Sequence, residues 1–320
     1  MTLSLVIRSV VGTFMMVGGA SALQAQTFPI KPVRIVTSDP GGGSDVIVRT
    51  IAPAMSAALG QPIVVDNRAG GVIAGDFVSK SAPDGYTLIF YANTLWLLPL
   101  MQKNVPYDTV RDFVPIVQAV TSPNILVVHP SLPVASVKEL ITLAKARPGQ
   151  LNYASAAVGT SNHIAMELLK SMANVDIVRI GYKGIGAGMI DIVAGQVQIA
   201  FATTTTTAAH LKSGRLRALA ISTVQPSEAF PRLPTVAATL PGYESASYGG
   251  LLAPARTPDA IIRRLNQEAM RALSGPDIKQ KFSSIGSEVV ASSPEQFAAR
   301  IKAEIAVVGQ LVKEGRIRGE

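Results

Sequence analysis

The chain has 320 residues, 48% of them hydrophobic and 16% charged, with a formal net charge of +8 and no cysteine. The missing cysteines exclude disulfides, thiolate metal sites and sulfur redox chemistry, so the fold must stand on a large apolar core. The positive charge is dispersed and aromatics make up only 5%. This argues against nucleic-acid binding, which calls for a basic patch interleaved with aromatics, and in favour of a mild field attractive to small anions.

Residues 1–25 read as an export signal: Arg8 opens it, an apolar run follows, and Ala20-Ser21-Ala22 or Leu23-Gln24-Ala25 offers a cleavage site. The run is well short of the ~20 residues that span a bilayer, so a secreted, periplasmic protein is expected. The remainder suffices for two domains of about 150 residues each.

Short apolar strands then alternate with amphipathic helical patterns, the mark of an α/β fold with largely parallel sheets. Residues 33–37 read as a strand and Pro40-Gly41-Gly42-Gly43 as a tight turn, with Ser44 and Asp45 capping a helix over 46–59 that stops at Gly60 and Pro62. A strand follows at 63–65, then a Gly70-Gly71 turn, a helix to about Ser81 and a strand at 86–91. The rhythm restarts with a strand at 125–129, a helix at 137–146 and a strand at 152–155. A small-residue turn from Ala156 to Ser161 opens a helix at 162–172, before a strand at 177–180, the turn Tyr182-Lys183-Gly184, a helix at 187–194 and a strand at 197–201. Longer helices at 260–273 and 294–313 flank a short strand at 288–290, and the Pro-rich stretch 226–241 reads as a return crossing. Two such units imply two lobes, placed at 26–124 plus 243–320 and at 125–242. In open α/β sheets ligands sit at the carboxyl ends of strands, so the turns would face a shared cleft.

Little in the chain supports catalysis. His129, His163 and His210 lie far apart without metal-ligand spacing, and no Gly-x-Ser-x-Gly elbow or cysteine nucleophile occurs. Pro40 to Asp45 lacks the Lys-Ser/Thr ending of a phosphate loop, and Gly184-Ile185-Gly186-Ala187-Gly188 lacks the dinucleotide spacing. Such turns serve either a backbone with φ > 0 or an anion at a helix N-terminus; two in matching places favour the anion, and a carboxylate above all. Thr203 to Thr207 supplies hydroxyls for a ligand, a helix cap or a hinge, and of Tyr91 and Trp96 beside Asn93 one lines the pocket or both are core.

Many collinear blocks resemble the substrate-binding receptors of tripartite tricarboxylate transporters, the Bug receptors. They include Lys31-Pro32-Val33-Arg34-Ile35-Val36, Pro40-Gly41-Gly42-Gly43-Ser44-Asp45, Pro83-Asp84-Gly85-Tyr86-Thr87-Leu88, Tyr153-Ala154-Ser155 with His163 and Glu167, Tyr182-Lys183-Gly184, and Ala253-Pro254-Ala255-Arg256-Thr257-Pro258. The resemblance implies a two-lobed periplasmic-binding-protein clamshell of type II with hinge crossover strands, and no enzyme, metal or cofactor. It also implies that Ser38 to Ser44 and Ser155 to Ser161 grip a carboxylate, partly through ordered waters. The candidate ligand-binding set is Ser38, Asp39, Gly41, Gly42, Gly43, Ser44, Asn93, Ser155, Ala157, Gly159, Thr160, Ser161, His163, Tyr182, Thr203 and Thr204. The expected ligand is a di- or tricarboxylate or an aromatic acid, the alternative an amino acid or a neutral amide or aromatic solute. The expected partner is a two-component membrane permease, with the receptor itself a monomer. Thr37-Ser38-Asp39 before Pro40, Gly181 where the family has proline and Gln198 where it has an acid are departures that bear on which solute is bound.

Overall fold

The protein is described by a computed structural model covering residues 28–38, 40–68, 70–227 and 230–317; the expected export signal and Asp39 lie outside the described residues. In chain order the elements are β1 (Val33–Thr37), α1 (Gly43–Leu59), β2 (Ile63–Asn67), α2 (Gly71–Ser79), β3 (Thr87–Tyr91), α3 (Thr94–Met101), α4 (Thr109–Asp112), β4 (Phe113–Pro123), β5 (Ile125–Val128) and α5 (Val137–Ala146). They continue with β6 (Asn152–Ser155), α6 (Ser161–Ala173), β7 (Val178–Gly181), α7 (Ile185–Val193), β8 (Ile199–Ala202), α8 (Thr204–Lys212), β9 (Arg217–Ile221), β10 (Ala246–Pro254), α9 (Asp259–Leu273), α10 (Pro276–Ser284), β11 (Glu288–Val289) and α11 (Pro294–Lys313).

Two sheets result, in the orders β11-β4-β10-β3-β1-β2 and β7-β6-β8-β5-β9. They are mixed rather than largely parallel. In the first, β1 runs parallel to β2 and β3, while β10 is antiparallel to β3 and β4. In the second, β6 is parallel to β7 and β8, while β5 is antiparallel to β8 and β9. The strands that enter each sheet from the other lobe, β10 and β5, run against the strand-turn-helix units, as does the short edge strand β11.

Helix ends follow local chemistry. Gly60 closes α1 in the left-handed conformation at φ 68°, where a side chain would be strained. Ser136 caps α5 by accepting from Glu139 N, and Ser293 with Gln296 forms a reciprocal capping box on α11. The start of α1 departs from expectation: Gly42 in extended backbone is the N-cap, the helix begins at Gly43, and Asp45 lies inside its first turn. Thr204 to Thr207 are helical in α8, the hydroxyls of Thr206 and Thr207 turning back to Thr203 O.

The lobes are joined at a narrow waist. Asn124 alone separates β4 of the first sheet from β5 of the second, and the return runs between Ile221 and Ala246. There the two crossings bond to each other: Asn124 N donates to Ser222 Oγ at 2.9 Å, Ser222 N to Asn124 O at 2.9 Å, and Ser245 N to Ser222 O at 3.0 Å. All three residues are buried. One apolar cluster runs through the waist, joining Val36 and Trp96 of the first lobe to Tyr153 and Phe201 of the second. Among the described residues no helix is long and apolar enough to cross a membrane.

Candidate functional site

A cleft of about 540 Å³ opens between the sheets. Ser38, Gly41, Gly43 and Ser44 line it from the β1–α1 turn, Asn93 and Thr94 from the start of α3, Thr160 and Ser161 from the start of α6, and Thr203 and Thr205 from the start of α8. Four helix N-termini therefore converge on one space, two from each lobe. None has a side-chain cap on its first N–H groups, as is also true of α2, α7, α9 and α10, while Asp108, Ser136 and Ser293 cap α4, α5 and α11. Unpaired N–H donors and the positive ends of four macrodipoles favour an anion here. Among the described residues no charged side chain lines the cleft.

Asp45 shapes the first turn without entering the lining. Its carboxylate accepts from Gly41 N at 2.9 Å, Arg49 Nε at 2.9 Å and Asn67 Nδ2 at 2.7 Å. Asn67 Nδ2 also donates to Ser38 O at 2.7 Å, which ties the turn to the end of β2. Burial works to raise the Asp45 pKa, but the bonds from Asn67, Gly41 and Arg49 outweigh it and leave the acid below its ordinary value. Gly41, at φ 78°, has room for a side chain but a backbone that only glycine adopts readily.

The second turn is held from behind. His163 is buried and its Nδ1 accepts from Gly159 N at 3.3 Å; burial, then the charges of Arg179 and Lys170, push its pKa down to about 3. It is therefore neutral at physiological pH and serves the turn as an acceptor. Ala156 O accepts from Ser155 Oγ at 3.0 Å and from Arg179 Nη2 at 2.8 Å. Glu167 binds Tyr153 Oη at 2.5 Å and Lys170 Nζ at 2.8 Å beneath α6.

Asn93 reaches the cleft wall but spends its side chain on the protein. Its Oδ1 accepts from Tyr248 N at 2.8 Å, and its Nδ2 donates to Ala246 O at 3.0 Å and to Glu304. Glu304 on α11 also accepts from Trp96 Nε1 at 2.7 Å. Burial raises its pKa to about 7 against the lowering effect of the Trp96 and Asn93 bonds. Trp96 is thus core, while Tyr91 lines the cleft.

Of the residues singled out from sequence, the structure gathers Ser38, Gly41, Gly43, Ser44, Asn93, Thr160, Ser161 and Thr203 on the cleft wall. Gly42, Ser155, Ala157, Gly159, His163, Tyr182 and Thr204 stand outside that wall. Tyr182 instead donates to Asp191 at 2.6 Å, Gly159 packs on Met101 of the opposite lobe, and Thr204 packs on Gly286. Ser122, Ser247, Ile285 and Ser287 also line the cleft, as do Val46, Ile47 and Val120. The first four come from the crossing strands and from the α10–β11 connection, none of which follows the strand-turn-helix pattern that exposes the other turns.

Residues 47–317 match the family described as the tripartite tricarboxylate transporter family receptor. The protein BugT of Bordetella pertussis is 36% identical over 314 residues, covering 96% of each chain. The solved structure of R. palustris Rpa4515 with adipate is similar at TM-score 0.77 and 34% identity, over 92% of this chain and 100% of that one. That of MatC (Rpa3494) from Rhodopseudomonas palustris with bound malate is similar at TM-score 0.73 and 28% identity, over 89% of this chain and 100% of that one. The family match takes in most of the chain, so the chain belongs to the family of tripartite tricarboxylate transporter receptors, which are periplasmic solute-binding proteins and not enzymes.

Proposed function

We propose that this receptor captures a small carboxylate in the periplasm and delivers it to a two-component permease of the tripartite type. The observation that carries this reading is the meeting of four helix N-termini, free of side-chain caps, on a cleft whose described lining holds no charged side chain. An anion in that space gains N–H donors and dipole ends from both lobes and, among the described lining residues, meets no fixed negative charge. Similar proteins have been solved with adipate and with malate, which supports an aliphatic acid of four to six carbons as the starting point.

In this reading the lobes are 26–124 plus 243–320 and 125–242, and they close about Asn124 and Ser222. The carboxylate is held by N–H groups that find no partner among the described residues, those of Gly43 and Ser44 in the first turn and of Ala157 and Ser161 in the second, and by the hydroxyls of Ser38, Thr160, Ser161 and Thr203. Gly42, Ser155, Gly159, His163 and Thr204 serve by fixing these turns. Val46, Ile47, Val120 and Ile285 would cover the uncharged body of the ligand. Those apolar residues also favour the second reading, a receptor for a neutral amide or aromatic solute.

A thermal-shift screen followed by calorimetry separates the two, with adipate, malate, succinate and benzoate set against adipamide and neutral amino acids. A carboxylate at ~100 times its dissociation constant should stabilise the protein by about 2.7 kcal/mol. A response to adipamide equal to that of adipate would reject the carboxylate reading.

A further inference from the structure

Arg179 on β7 is a half-buried cation that the grip described so far leaves unused. Among the described residues no carboxylate lies within ion-pair distance of it, and its Nε is buried without a hydrogen-bond partner. Its one hydrogen bond runs from Nη2 to Ala156 O, at 2.8 Å. Ser155 Oγ donates to the same oxygen, so this carbonyl takes two donors.

The Ala156–Ala157 peptide is trans and planar, and its N–H therefore points opposite to its carbonyl. With the carbonyl fixed on Arg179, the Ala157 N–H is turned away from the guanidinium, and it takes no partner among the described residues. It lies in the same turn that brings Thr160 and Ser161 to the cleft. A charged donor on the carbonyl also polarises the peptide and strengthens its N–H as a donor.

We propose that Arg179 is a positioning residue of the anion grip, holding the Ala156 carbonyl from behind so that the Ala157 N–H is aimed and strengthened for a carboxylate. It also supplies, from one layer back, the positive charge that the described cleft lining lacks. The inference rests on the carboxylate reading given above. The lowered pKa of His163, to which Arg179 contributes after burial, places the guanidinium's field within this turn.

The test is calorimetry of the wild type, Arg179→Gln and Arg179→Lys with adipate, malate, succinate and benzoate, and with adipamide as the uncharged counterpart. Proton NMR of the His163 ring and the Ala157 amide accompanies it. Losing a hydrogen bond to a charged group should weaken carboxylate binding about tenfold or more in Arg179→Gln. Arg179→Lys, which keeps the charge, should recover part of that loss, and adipamide binding should not change. The Ala157 amide resonance should move and the His163 pKa should rise in Arg179→Gln alone, which a merely structural defect would not produce.

Wild-type affinity in Arg179→Gln, or an equal loss for adipate and adipamide in both variants, overturns the inference while the carboxylate reading stands. Failure of the wild type to bind any of the four acids overturns that reading first, and this one with it. Should Arg179→Gln not fold, Arg179→Lys decides: a partial loss of affinity confined to the acids supports the role, and wild-type affinity for all four acids rejects it.

Discussion

Gly286 and Thr204 meet across the cleft, the first beside the edge strand of one sheet and the second at the start of α8 in the other, so closely that a β-carbon on Gly286 would overlap the Thr204 hydroxyl. Gly286 also holds φ 73°, a conformation that side chains rarely adopt. Gly286→Ala should therefore hold the lobes apart, weakening carboxylate binding by about tenfold, as expected when closure loses on the order of 1.4 kcal/mol. Gly60→Ala is the matching control, with φ 68° and open space around it. It should cost roughly 1 kcal/mol of stability and leave affinity unchanged. Denaturant melts and calorimetry of both variants check this, and equal affinities would show that the contact does not govern closure.

Closure itself has a solution signature. Contacts made only in the closed form are what allow a ligand to favour it. Saturating adipate or malate should reduce the radius of gyration of the wild type in small-angle scattering, and the reduction should be smaller in Gly286→Ala. An unchanged radius in the wild type at saturation would contradict a clamshell.

Glu304 gives the protein a pH dependence of definite sign. Its pKa rises on folding from 4.5 to about 7, so the native state binds more protons than the unfolded chain within that window. Stability contributed by the protonated acid is complete below about 4.5 and is lost as the pH rises through 7, by on the order of 3 kcal/mol. Thermal melts between pH 4.5 and 8 should show this fall, and Glu304→Gln should flatten it. The side chain binds Trp96 and Asn93, so its ionisation should also be felt at the start of α3.

Asp45 acts in the opposite sense. Its pKa is lowered on folding from 3.8, so its contribution is present above that value and disappears as the pH falls through the lowered one. Asp45→Ala leaves Gly41 N and Asn67 Nδ2 without this acceptor and should destabilise by about 2 kcal/mol at neutral pH. Hydrogen exchange at Gly41 should quicken, and carboxylate binding should weaken because the turn is no longer held. The difference in stability from wild type should close in strong acid.

Elements whose burial follows one periodicity were legible in the sequence. β1 and β6 start and end as expected, and so do α5 and α11, whose caps at Ser136 and Ser293 are local signals. β4 and β10 were not legible: Pro115, Gln118 and Ser122 interrupt the first, and Gly249-Gly250 the second. Their pairing joins residues as far apart as Phe113 and Pro254, which no local pattern reveals. α8 was hidden by its four threonines, residues of low helix propensity whose hydroxyls bond their own backbone instead. The glycine and hydroxyl turns of the cleft stood out because their composition is abnormal for strand or helix. Ser122, Ser247 and Ser287 did not, because a lone serine takes its place in a cleft only from tertiary structure.

The stitching of Asn124 to Ser222, and of Ser222 to Ser245, binds the outgoing and returning chains into a single axle. Two separate tethers would let the lobes shear or yaw independently. One joined axle would leave them a single soft coordinate, so that any cargo able to bring the rims together would produce the same outer shape. A membrane partner reading that shape alone would register that a load is aboard and not which load, and the choice of cargo could then drift in evolution through the cleft wall without any change to the face that docks.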